Sequence, residues 1–113
     1  MGAVTAITYA SLEPHRISKM ILDSPFSSFR QLVKEVVNTK TGLPDFLFSS
    51  ILEQIEEKIT SKTSFNLMNI DLKNNIKEKG MKSIACLFLI SRDDKLIKPS
   101  HVDILYSLHE GPK

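Results

Sequence analysis

The sequence predicts an α/β protein with parallel strands flanked by helices, and three observations carry that prediction. Residues 84–90 are apolar at every position, which is how a strand covered on both faces of a parallel sheet reads. Two long segments between residues 29 and 60 show helical spacing of their apolar residues. The predicted elements then run helix, strand, helices, strand, helix, an alternation that belongs to α/β folds.

The elements follow in order. Residues 1–12 read as a helix whose small residues, Gly2, Ala3, Ala6 and Ala10, suit close packing against a sheet. No residue precedes Met1 to cap its first N–H groups. Pro14 ends this helix and residues 13–16 form a loop. Ile17, Met20, Ile21 and Leu22 make a short strand, closed by Asp23-Ser24-Pro25 because proline cannot sit in a central strand. Phe29, Leu32, Val33, Val36 and Val37 fall at i, i+3, i+4, i+7 and i+8, the stripe of an amphipathic helix. Ser27 or Ser28 can cap it. Thr41-Gly42-Leu43-Pro44 breaks the chain, and a second helix covers residues 45–60 with Phe48, Ile51, Leu52, Ile55 and Ile59 on one face. Phe46 and Leu47 lie partly off that stripe. Residues 61–70 fit no pattern, residues 71–79 read as a short helix, and Gly80 is a natural stop for it. The strand at 84–90 follows. Residues 91–98 form a polar turn. Ser100 opens the last helix, with Asp103 three places on as in a capping box. Ile104, Leu105 and Leu108 are its inner face, and Gly111-Pro112 closes it.

Composition narrows the function classes. The 113 residues are 42% hydrophobic and 25% charged, an ordinary balance for a globular protein. One domain is the natural count, able to bury about 65% of its unfolded surface. The net charge of +2 is spread: residues 57–113 hold 10 Lys and Arg against 7 Asp and Glu, and residues 1–56 hold 5 against 6. That surplus argues against nucleic acid as a partner, and the lysines at 73, 77, 79 and 82 read as a solvated face. The longest apolar run, seven residues, falls far short of the ~20 that span a membrane. Cys86 is the single cysteine, so no disulfide forms within the chain, and in an apolar run it acts as a small hydrophobe. With no basic secretory start, the expected location is cytoplasmic.

Ligands of open parallel sheets bind beyond the carboxyl ends of the strands. Asp23 lies there after the first strand, and Asp93 and Asp94 after the second. A carboxylate so placed orients a histidine, holds a metal, caps a helix or solvates a turn. His15, His101 and His109 show no metal-ligand spacing, there is no Cys cluster, and no Gly-rich phosphate loop or G-x-S-x-G is present. The sequence therefore calls for no metal and no cofactor.

Four segments resemble parts of the α/β-hydrolases. Met1-Gly2-Ala3 ahead of a small-residue helix resembles the downstream half of their nucleophile elbow, G-x-S-M-G-[AG]. Leu22-Asp23-Ser24-Pro25-Phe26-Ser27-Ser28 is similar to a strand end and turn in serine-aminopeptidase-like and monoacylglycerol-lipase-like members. Residues 90–99, with Asp93-Asp94 at their centre, resemble the acid loop, Ser91 standing where the family usually has Gly. Gly111-Pro112-Lys113 resembles the turn entering the last strand.

The resemblance covers essentially the whole chain, in order. It implies a single partial α/β-hydrolase domain over residues 1–113, with residues 42–65 as a cap-like helical insertion. It makes Asp94 the triad acid and assigns the Met1 backbone N–H to the oxyanion hole if the chain continues upstream. Phe46 and Leu47 could line an acyl pocket. The nucleophile would precede Met1 and the histidine would follow Lys113, since neither His101 nor His109 matches the family's position. The expectation is thus a C-terminal-half fragment of a serine hydrolase whose parent cleaves a small-molecule ester, thioester or amide, inactive alone. The alternative is a non-catalytic interaction module that uses exposed sheet edges, with self-association through those edges. A small-ligand site at Asp23 and Asp94 has no polar constellation behind it.

Overall fold

The computed structural model describes every residue except Leu43 and Phe65. Its elements are α1 (Gly2–Leu12), β1 (Lys19–Asp23), α2 (Phe29–Thr41), α3 (Asp45–Thr63), α4 (Leu72–Asn75), β2 (Ala85–Leu89) and α5 (Pro99–Leu108), with 3₁₀ turns at Pro14–Arg16, Leu67–Asn69 and Lys79–Ser83. The protein is mixed α/β, as the sequence predicts. It divides into two compact units, one made of Met1–Ser27 with Asp71–Lys113 and the other of Ser28–Ile70. The second takes in residues 42–65 together with α2.

In the first unit, β1 and β2 pair in parallel, from Lys19 opposite Ala85 to Asp23 opposite Leu89. The Ala85 N–H donates to Ser18 O at 3.2 Å and the Ser24 N–H to Leu89 O at 3.1 Å. Even-numbered β1 residues therefore turn their main-chain groups to β2, and Lys19, Ile21 and Asp23 turn theirs to the other edge. One face of the sheet is buried, through Met20, Leu22 and Cys86, with α1 against β1 and α5 against β2. Phe88 meets the Tyr106 ring edge-on at 5.6 Å. The other face is open: Ile21 is 70% exposed, Leu87 55% and Leu89 42%. This corrects the expectation of a strand covered on both faces. The apolar run is real, but only one side of it meets a helix.

Helix α1 buries Val4, Ile7 and Ala10, while Tyr9 and Leu12 stay exposed, so it is a one-sided surface helix. The predicted stop at Gly80 is also corrected. The helix there is a single turn that ends at Asn75, and Gly80 lies in the following 3₁₀ turn. Its role is close approach, because a Cβ at Gly80 would sit 2.4 Å from Pro14 Cγ and 2.6 Å from Pro14 Cβ. A proline ring cannot swing aside. Gly80→Ala is expected to cost about 1–3 kcal/mol, the usual range for overpacking, read as a lowered urea midpoint with an unchanged slope.

Helix α5 starts one residue before the predicted capping box. Pro99 occupies its first turn, Lys98 is the N-cap, and no side chain caps it. Proline's fixed φ is already helical and its missing N–H needs no partner there. The buried residues are His101, Val102 and Leu105, while Ile104 and Leu108 of the predicted inner face are only partly buried.

The second unit follows the predicted stripes closely. Ser28 is the N-cap of α2, its side chain accepting the Gln31 N–H, and Gly42 closes the helix in the left-handed region at φ 60°. Helix α3 runs three residues past the predicted end and closes on Ser64, also left-handed. Phe48, Leu52 and Met68 form the core of this unit, with Phe29, Val33, Val37 and Ile55 packed around them. Arg30 and Glu56 tie α2 to α3 at 2.9 Å.

Candidate functional site

The carboxyl ends of β1 and β2 carry the residues that the sequence singles out. After β1, the chain turns at Ser24, whose φ of 46° is left-handed, an uncommon state for a residue other than glycine. The Ser24 hydroxyl donates to Asp23 Oδ1 at 3.0 Å, and both groups face solvent. The chain then dives inward through Pro25, Phe26 and Ser27, all buried.

After β2, Asp94 sits in a tight turn. Its Oδ1 accepts the N–H of Leu96 at 2.8 Å and of Ile97 at 2.9 Å. Those two donors, Ile97 first, hold its carboxyl below the usual carboxylate value of 3.8. A group held this way is ionised at neutral pH, with Oδ1 engaged by the turn. Asp93 beside it is exposed.

The histidines do not meet Asp94. His15 is exposed and lies 3.5 Å from Glu13. His109 is buried and its Nε2 lies 3.1 Å from Ile84 O. Burial pushes its pKa below the ordinary 6.5, against the opposing pull of the Ile84 and Pro112 carbonyls. His101 is also buried, on α5, with Nδ1 2.9 Å from Ser27 Oγ. The same Nδ1 accepts the Ser27 backbone N–H at 3.2 Å, which sets the tautomer with the proton on Nε2.

The structure thus brings a serine and a histidine together, at a place where the sequence offered only a choice of helix caps. Ser28 takes the capping role and Ser27 takes His101. The pair has the atoms of an activated nucleophile, but both residues are 0% exposed. No acyl carbon reaches Ser27 Oγ, so the contact anchors the turn after β1 to the start of α5. A sequence signal for His101 existed in its spacing to Val102 and Leu105, visible once the helix is started at Pro99.

Met1 is exposed at the start of α1, and its carbonyl accepts the Thr5 N–H at 3.0 Å. Phe46, 74% exposed, and Leu47 lie in the first turn of α3, in the second unit. A concavity of about 560 Å³ on that unit is lined by Glu53, Glu56, Glu57, Thr60, Ser61 and Asn66, an acidic lining unlike an acyl pocket. Among the described residues, no three His, Cys, Asp or Glu side chains gather to hold a metal ion, and no helix is long and apolar enough to cross a membrane. Cys86 is buried and its thiol is pushed up to about 11 by burial, so it stays protonated at neutral pH.

The titrations define an acid limb. His109, depressed below 6.5 in the fold, binds its proton more readily when the chain is unfolded. Its contribution is complete above pH 6.5 and is lost as pH falls toward the folded value. Asp94, Glu56 and Glu110 are likewise held low, by backbone N–H groups, by Asn66 and by Lys82 respectively. They add a second loss below about pH 4.5. The urea midpoint is therefore expected to be flat between about pH 7 and 8 and to fall in two stages on acidification; above the ordinary thiol value of 9.0, buried Cys86 lowers it again. A His109→Gln variant that still folds removes the first stage.

Comparison of the chain with protein-family models, with curated proteins and with solved structures found no match.

Proposed function

We propose that the chain carries the acid-bearing part of a serine-hydrolase acyl-transfer site, with Asp94 as the carboxylate. The observation that supports this reading is the Asp94 carboxyl itself. It follows a parallel strand, it is ionised, and Oδ1 is fixed by two N–H groups, which leaves Oδ2 to accept an imidazole N–H. A triad acid needs these properties, because it holds the histidine in the right tautomer and orientation. The resemblance of residues 1–3, 22–28 and 90–99 to α/β-hydrolase segments supplies the reaction class, hydrolysis of a small-molecule ester, thioester or amide.

In this reading the Met1 backbone N–H is an oxyanion donor when it is an amide. Phe46 and Leu47, apolar and exposed, are the side chains that an acyl group would meet. The nucleophile and the histidine come from outside residues 1–113, because Ser27 is sealed, His101 and His109 are buried in other contacts, and His15 pairs with Glu13.

The test has two arms. The purified chain is expected to hydrolyse no p-nitrophenyl ester and to take no fluorophosphonate label. The product of the same reading frame, expressed with its flanking coding sequence, is expected to label at one serine. Asp94→Asn in that product lowers turnover about 10³- to 10⁴-fold, the cost of misorienting the base. A labelled serine within residues 1–113, or turnover indifferent to Asp94→Asn, overturns the proposal.

A further inference from the structure

We infer that the free edge of β1 is a self-recognition surface, on which a second copy of this chain adds its own β1 antiparallel about a twofold axis through Ile21. The inference concerns the 113-residue chain; in the acyl-transfer reading, the strand of a nucleophile elbow ahead of Met1 is the other candidate for this edge.

The main chain gives the first argument. Ala85 N–H to Ser18 O and Ser24 N–H to Leu89 O bracket the β1–β2 ladder, so the N–H and C=O groups of Lys19, Ile21 and Asp23 point to the edge that β2 does not occupy. No proline or bulge interrupts β1, two of the devices that blunt an edge. The outer edge of β2 is less free, because Pro112 O already accepts the Cys86 N–H there at 2.9 Å.

The side chains give the second argument, and it selects the occupant. Lys19, Ile21 and Asp23 stand on one exposed face of β1. Lys19 and Asp23 are four residues apart, about 13 Å along a strand, too far to pair with each other, and neither has an ion-pair partner among the described residues. A twofold axis through Ile21 sets Lys19 opposite Asp23 of the second copy and Asp23 opposite its Lys19. Ile21 meets its own symmetry mate between them. All three edge residues then become hydrogen-bonded pairs, each exchanging both main-chain groups with the residue opposite. Opposite charges face each other across the strands, which is stabilising, whereas like charges so placed are not.

The same charges reject the competing arrangement. An in-register parallel addition places Lys19 against Lys19 and Asp23 against Asp23. Like charges then oppose one another at both ends of β1, so the charges select the antiparallel arrangement over the parallel one. The closed dimer instead gives one four-stranded sheet, with Ile21, Leu87 and Leu89 of both copies continuous across one face.

Sedimentation equilibrium of the whole chain tests this. The mass is expected to rise with concentration from 12.8 kDa toward twice that value and no further. Lys19→Asp and Asp23→Lys, each alone, place like charges opposite one another at two symmetric positions and raise Kd about tenfold or more. Mixed in equal amounts, the two variants restore both ion pairs, and the dimer returns with one copy of each. Both substitutions are on exposed side chains, and far-UV circular dichroism confirms that each variant is folded. A wild-type chain that stays at monomer mass, assemblies that grow past the dimer, single variants that associate like the wild type, or a mixture that stays monomeric would each overturn the inference.

Discussion

His101→Ala is expected to lower stability by about 3–5 kcal/mol, combining a lost buried ring with stranded polar partners. His101 Nδ1 accepts the Ser27 N–H and touches the Ser27 hydroxyl, with both residues fully buried. Alanine leaves a main-chain donor and a hydroxyl without water or partner, at about 1–3 kcal/mol each. Ser27→Ala removes only the hydroxyl and is expected to cost about 1 kcal/mol. The double variant should then show a coupling of about 1 kcal/mol between the two positions. His101→Asn presents a carbonyl oxygen near the place of Nδ1 and is expected to recover part of the loss. Urea unfolding of the four variants at pH 7.5 measures this order, and a His101→Ala chain within 1 kcal/mol of wild type would show that the contact is dispensable.

The second large effect separates two neighbours on β1. Leu22 is 0% exposed and Ile21 is 70% exposed. Leu22→Ala is expected to cost about 2–5 kcal/mol, the transfer term plus the cavity left against α1. Ile21→Thr keeps a β-branched side chain on the open face and is expected to stay within about 0.5 kcal/mol, measured at concentrations where the chain is monomeric. Equal costs at the two positions would mean that the second face of the sheet is covered in solution.

That contrast marks where reading the residues stops. The stripes on α2 and α3 are readable because periodicity records which side of a helix is wet. Phe29, Val33, Val37, Phe48, Leu52 and Ile55 all pack as their spacing implies. Residues 84–90 have no alternation, so they announce a strand without saying which face meets a helix. Only the elements that assemble around β2 decide that Cys86 is buried and Leu87 exposed. The start of α5 differs from the Ser100 capping box for a local reason: Pro99 takes the first helical position and Lys98 becomes the N-cap. Asp94 is readable as a carboxylate after a strand, but its two N–H donors are a property of the turn. The Ser27–His101 bond joins residues 74 apart; it becomes visible only once the path that brings β1 beside α5 is known.

The crossover between the two strands has a consequence for how such a chain can change over generations. The Leu72 N–H donates to Ser27 O at 2.8 Å, so the first unit's chain leaves and returns at one point. The Phe29 N–H donates to Ile70 O at 3.0 Å, so the second unit's entry and exit also meet. A segment whose two ends touch can be exchanged for a longer, shorter or unrelated one with little disturbance at the junction. Residues 28–70 are, in that sense, a replaceable cassette. The strands, the Asp94 turn and the His101 anchor can be inherited unchanged while the cassette diversifies.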